Sequence, residues 1–188
     1  MIMYNTPHEE QFDVIDLDPY GSMVPFIHAT LRSMKNGGLL AVTCTDSRVL
    51  CGCDKHKCFY LYRSARCGND MVHETGLRIA LQTLNSVAAM MGKNIKVLLS
   101  IQSEFYIRLF VQVVRGKQES AKSIEQNGMQ FYCETCCYQY YHVFGKKKEN
   151  GHYQVNRFQL PESKCTNCDN EFQLSKLIRW TNVDRPAL

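Results

Sequence analysis

Two kinds of apolar pattern alternate in the first 115 residues. Phe12 to Leu17 reads as a short buried strand, and Leu39 to Cys44 is apolar at nearly every position, as strands covered on both faces are. Between them Val24, Ile27, Leu31 and Met34 recur at helical spacing. This predicts a helix with Ser22 at its N-cap, Pro25 tolerated in its first turn, and an end near Asn36 before Gly37-Gly38. Strand, helix and strand make a βαβ unit with a parallel pair. Residues 45–72 are polar and weakly periodic, and a loop that long inside a compact domain is more often functional than idle. From Val72 the helical period returns through Leu77, Ala80, Leu81, Leu84, Ala88 and Met91, and Gly92 ends it. Lys96 to Ile101 and Phe105 to Val114 then read as two strands with a tight connection, a hairpin, and in the second Phe105, Ile107, Leu109, Val111 and Val113 share one face.

Residues 116–127 are charged and read as a linker. The chain therefore divides into a domain at 1–115 and a smaller, aromatic and cysteine-bearing β module at 128–188. The fold class expected is α/β followed by a small β-rich zinc ribbon. Composition changes this picture little. With 22 Lys and Arg against 18 Asp and Glu the net charge is +4, compatible with nucleic acid but not diagnostic of it. No run of 18 apolar residues predicts a membrane span, and residues 1–11 hold no secretory core. Ten cysteines in that setting point to an intracellular protein with reduced thiols or bound metal.

Two Cys-x-x-Cys knuckles, Cys133/Cys136 and Cys165/Cys168, lie 28 residues apart. Four thiolates at that spacing suit structural Zn2+, with the intervening residues forming a hairpin. Cys137 adjoins Cys136 and is an alternative second ligand; the two-residue spacing favours Cys136. His142 and His152 read as ordinary hairpin residues. Cys51, Cys53, His56, Cys58 and Cys67 form a second cluster, but their spacing is irregular and contains no paired knuckle.

The other chemistry lies at Asp18-Pro19-Tyr20-Gly21, which follows the first strand. Turn residues these are, yet together they offer a carboxylate acceptor, a carbonyl with no competing donor, a stacking ring and a sharp bend. Those are the parts needed to hold an exocyclic amine on a flat base.

FDVIDLDPYGS, GGLLAVTCTDSRVLCG, HETGLRIAL, SEFYIRLFVQVVRG and the paired knuckles, in this order, resemble the tRNA (guanine-26, N2)-dimethyltransferase family. The resemblance runs from about Phe12 to Trp180. It implies strands four to seven of a class I methyltransferase sheet, S-adenosylmethionine as methyl donor and tRNA as partner. It also implies residence in the nucleus or mitochondrion; no membrane and no obligate protein partner is evident. Asp18, Pro19, Tyr20 and Gly21 take the catalytic positions in that family. Asp46, at the end of the neighbouring strand, becomes a second substrate contact, with a turn or N-cap role as its alternative. Glu74 matches a family position at the start of the long helix, where it could equally be a helix-dipole charge.

The chain also departs from the family pattern. Three strands and a glycine-rich cofactor loop precede the Asp-Pro-aromatic strand in the family, whereas eleven residues precede Phe12 here. Tyr62-Arg63-Ser64 stands where the family has a Lys-Tyr-Gly-like run. The chain is therefore expected to correspond to the middle of a larger enzyme, with no cofactor-binding residue of its own and an exposed apolar edge strand at 12–17. The alternative is a zinc-ribbon RNA-binding protein without catalysis, its basic turn Lys146-Lys147-Lys148 set among tyrosines. An amino-methyltransferase for another RNA is a third reading.

Overall fold

In a computed structural model of the chain, the structure describes residues 7, 10–52, 54–65, 71–157 and 164–179, the last seven by backbone alone. Cys53, Cys67 and residues 158–163 of the hairpin region lie outside them. Two compact units form: one holds the residues up to Val49 together with Thr83–Ser123, the other Leu50–Gln82 together with the residues from Ile124 onward.

The first unit is built on a four-stranded sheet of β1 (Phe12–Leu17), β2 (Met34–Cys44), β3 (Lys93–Ser103) and β4 (Tyr106–Arg115). Its order is β1-β2-β4-β3. β1 runs parallel to β2, with Asp16 opposite Ala41 and Leu17 opposite Val42. β4 is antiparallel to both of its neighbours. The expected parallel pair and hairpin are both present, joined into one mixed sheet. Leu40, Val42, Ile107, Leu109, Val111 and Val113 line its buried face, as the period of two in β4 requires. β1 is an edge strand, and Phe12 and Val14 on it are exposed.

The first helix is shorter than its apolar stripe suggests. A 3-10 turn at Val24–Phe26 leads into α1 (Ile27–Ser33). Met34 is already extended, with ψ 134°, and pairs with Phe12. Residues 35–38 then bulge out of β2, because the next pairing is Val14 with Leu39. Gly38 is required there: a Cβ would stand 2.9 Å from the Asp13 carbonyl oxygen. The paired glycines thus serve a bulge and not a helix stop.

Residues 45–72 are not one loop. They contain α2 (Ser47–Leu50) and α3 (Lys55–Tyr62). Asp54 caps α3, its Oδ1 accepting from the Lys57 N–H at 2.9 Å. At the other end Arg63 takes the left-handed conformation, φ 54°, in the run where sequence departed from the family pattern. α4 (Val72–Met90) is the long helix, and Gly92, φ 69°, turns the chain after it.

Lys93 opens β3 and is buried, its Nζ donating to the Leu31 carbonyl. Burial, with the Arg115 charge second, pushes its pKa down from 10.5 to about 8. The unfolded chain holds this proton up to its ordinary pKa while the folded chain releases it from about 8. Stability therefore rises with pH between these values, by up to about 3 kcal/mol. Lys93→Met is expected to flatten that rise, read as urea midpoints at pH 7 and pH 10.

The stretch at 116–127 carries α5 (Lys117–Ala121) and α6 (Ser123–Gln126). In the second unit β5 (Asn127–Cys133) lies between β6 (Gln139–Val143) and β9 (Phe172–Arg179), antiparallel to each. β7 (Gly145–Lys147) and β8 (Tyr153–Val155) pair as a separate hairpin.

Candidate active-site corner and cysteine cluster

Asp18 follows β1 directly, at the carboxyl end of the sheet, where open α/β sheets place their ligands. The turn it begins is fastened to β2. The Gly21 N–H donates to the Thr45 Oγ1 at 2.7 Å, and the Thr45 N–H donates back to the Gly21 carbonyl at 3.0 Å. Gly21 has φ 85°, a conformation that costs a residue with a Cβ about 1–2 kcal/mol. None of the described residues of the first unit covers the ring of Tyr20, at 105% relative exposure, and Asp18 is exposed beside it. The corner presents a carboxylate, a carbonyl and an open aromatic face on a rigid bend.

Asp46 is next to Thr45 on the same edge, half-buried, and its carbonyl accepts from the Val49 N–H at 2.8 Å. The structure therefore brings Asp18 and Asp46 to the ends of adjacent strands. Glu74 belongs to the second unit, in the first turn of α4, where Oε1 meets Arg78 Nε at 2.6 Å.

The four knuckle cysteines meet. Cys133, Cys136, Cys165 and Cys168 place their sulfurs within 4.8 Å of one another. Cys133 and Cys168 are 3.4 Å apart, Cys136 and Cys165 3.6 Å. Zn–S bonds of about 2.3 Å set the sulfurs of a regular tetrahedron about 3.8 Å apart, so this set fits a zinc ion with little adjustment. The two knuckles are the same turn built twice. Cys133 N–H reaches the Tyr138 carbonyl and Cys165 N–H the Asn170 carbonyl; Cys137 N–H returns to Cys133 and Asp169 N–H to Cys165. Cys137 and Asp169 both take left-handed φ, 59° and 62°. That turn carries Cys137 outside the sulfur group, and its sulfur accepts from the Tyr132 hydroxyl at 3.4 Å.

Hydrogen bonds stabilise some of these thiols as thiolates. The Asn167 side chain holds Cys136 down to about 6, and the Cys136 backbone N–H lowers Cys133. Burial instead pushes Cys165 up to about 11. Four thiolates this close repel one another unless a cation sits among them.

The sequence did not reveal Thr45 or Arg108. Thr45 appeared only as the neighbour of Asp46. Arg108 is a lone charge in an alternating strand, a pattern that usually means a solvated face.

The family model for N2,N2-dimethylguanosine tRNA methyltransferase matches residues 1–178. The chain belongs to that family. It is 41% identical over 147 residues to the tRNA (guanine(26)-N(2))-dimethyltransferase of Mus musculus, covering 78% of this chain and 22% of the relative. The mitochondrial enzyme of that name from Saccharomyces cerevisiae is 33% identical over 186 residues, covering 93% of this chain and 33% of the relative. For Methanothermobacter thermautotrophicus the identity is 34% over 165 residues, with 88% and 40% covered. Among solved structures, Trm1 from Pyrococcus horikoshii in complex with S-adenosyl-L-methionine superposes with a TM-score of 0.66 at 28% identity, covering 92% of this chain and 41% of that one. The chain thus spans about a fifth to two fifths of the length of these dimethyltransferase relatives. Its mixed α/β fold resembles that of the Trm1 methyltransferase. None of the described helices is long and apolar enough to cross a membrane.

Proposed function

We propose that this chain supplies the acceptor half of a tRNA methyltransferase that methylates the exocyclic N2 of guanine 26, once and then again. The observation that carries the reading is the stapled corner, with Asp18 and the Tyr20 ring held open at the carboxyl end of β1. An exocyclic amine is a poor nucleophile while its lone pair is conjugated with the ring. Asp18 accepts one amine hydrogen and the Pro19 carbonyl the other, which turns the lone pair out of conjugation. As the nitrogen gains its fourth bond, the surplus proton passes to the Asp18 carboxylate. The guanine must leave its stack to reach this corner, and Tyr20 gives it a face to lie on. Asp46 and Glu74 enter the reading as further substrate contacts.

S-adenosylmethionine supplies an electrophilic methyl group when bound. Among the described residues none forms a strand, glycine loop and helix, so no residue of this chain is assigned to holding it. Strands β1 to β4, in the order β1-β2-β4-β3, correspond in this reading to the fourth to seventh strands of a class I sheet. Residues 128–188 form a zinc ribbon held by Cys133, Cys136, Cys165 and Cys168. A mitochondrial location accords with that of the yeast relative, and a nuclear one rests on the family resemblance alone.

The test is methyl transfer by the protein that carries these residues. Labelled methyl donor and unmodified tRNA should yield N2-methylated guanosine at position 26, and a tRNA with adenosine there should yield none. RNA binding without transfer would favour the binding-only zinc ribbon.

A further inference from the structure

We propose that Arg108 is a positioning residue for the amine-binding corner, locking the ends of β1 and β2 one pleat before Asp18 and Thr45. The proposal rests on the function read above. Arg108 stands on β4, opposite Thr43 in the register of β2. Its Nη2 donates to Asp16 Oδ2 at 2.8 Å, and its Nη1 donates to the Thr43 hydroxyl. One guanidinium therefore bridges three strands, and its acceptors lie two residues before Asp18 and two before Thr45. Its plane is fixed in turn by the Phe110 ring, 5.3 Å from Cζ to the centroid. Downstream of the clamp, the reciprocal Gly21–Thr45 bonds close the turn. Together these contacts hold the backbone at the ends of β1 and β2 from which Asp18 and Tyr20 project.

Among the described residues β1 pairs with β2 only. A parallel pair with a bulge near its start has little to resist a shift along its axis, and a fork with two acceptors resists it where a single hydrogen bond would not. A second ion pair supplies the internal control. Lys35 Nζ and Asp13 Oδ2, 2.7 Å apart, tie β1 to β2 at the far end, away from the corner. If Arg108 merely stabilised the sheet, it would behave as Lys35 does.

Three variants are compared: Arg108→Met, Arg108→Lys and Lys35→Met. In the methyl-transferring protein, Arg108→Met is expected to lower kcat about tenfold to a hundredfold, the size of effect that follows displacement of reacting groups by a fraction of an ångström to 1 Å. KM for tRNA should stay within about twofold, because Tyr20 and the rest of the surface are retained. Arg108→Lys reaches one acceptor at a time and should recover part of kcat; it also keeps the sheet folded if the methionine variant does not. In the 188-residue chain itself, amide exchange at Gly21 and Thr45 should speed at least about tenfold in both Arg108 variants and remain slow in Lys35→Met. Unchanged kcat, with Gly21 and Thr45 as protected as in Lys35→Met, would overturn the proposal. The failure of the underlying function looks different: there Asp18→Asn would itself keep full activity.

Discussion

Cys165→Ser is expected to leave the part of the second unit from Ile124 onward without its fixed fold, and prolonged chelation to do the same to the parent chain. Among the described residues from Ile124 onward, the buried apolar side chains are Phe131, Tyr132 and two of the knuckle cysteines. Hydrophobic burial of that size cannot order some 50 residues. Structural zinc in small modules contributes on the order of 10–16 kcal/mol at neutral pH, which makes metal binding and folding one event. Metal analysis should give one zinc for each parent chain and none for the serine variant. Hydrogen exchange across β5 and β6 should rise in that variant toward the unstructured rate. Cys137→Ser separates ligand from neighbour: it should keep the zinc and the protection, its hydroxyl standing in for the sulfur that accepts from Tyr132. A well-folded parent chain without metal would overturn this account.

Asp18 carries the second large effect. Asp18→Asn keeps the shape of the corner but removes the charge that accepts the surplus proton, and a positioned acid–base group typically contributes 10²- to 10⁴-fold, so kcat should fall by about that factor. Tyr20→Ala should act differently. Base–aromatic stacking is worth about 1–3 kcal/mol, so kcat/KM for tRNA should fall about tenfold to a hundredfold, mostly through KM. Neither change should move the melting temperature much, because both side chains are exposed. A loss of activity accompanied by a loss of fold would remove Asp18 from the chemistry and make it a structural residue.

Much of this was legible in the residues, for identifiable reasons. Residues 39–44 and β4 carry fully apolar or period-two runs, so their strand type and the β1–β2 and β3–β4 pairs followed, whereas the pairing of β2 with β4 did not. The knuckles were legible because the Cys-x-x-Cys spacing leaves the chain few other shapes. Residues 45–72 were not, because α2 and α3 are short and α3 has apolar and polar residues around its whole circumference; Asp54, its cap, was the one available signal. The end of α1 was misplaced for a physical reason. Gly37-Gly38 breaks a helix and also accommodates a bulge, and pairing of Met34 with Phe12 across the sheet selects the second. Arg108 and Thr45 could not be read at all, since their partners lie 92 and 24 residues away in the chain.

The doubled knuckle also bears on how the module tolerates change. Each half closes through bonds spanning no more than five residues, so each can form by itself. What remains is one ring closure across the 28 residues between Cys136 and Cys165. The entropy of such a closure grows only logarithmically, about 0.6 kcal/mol for each doubling of the loop. The turn from Lys148 to Gly151, at the tip of the β7–β8 hairpin, is therefore a slot where added sequence is nearly free of energetic consequence. An epitope or a fluorophore placed there would report on the module without loosening its cysteine cluster.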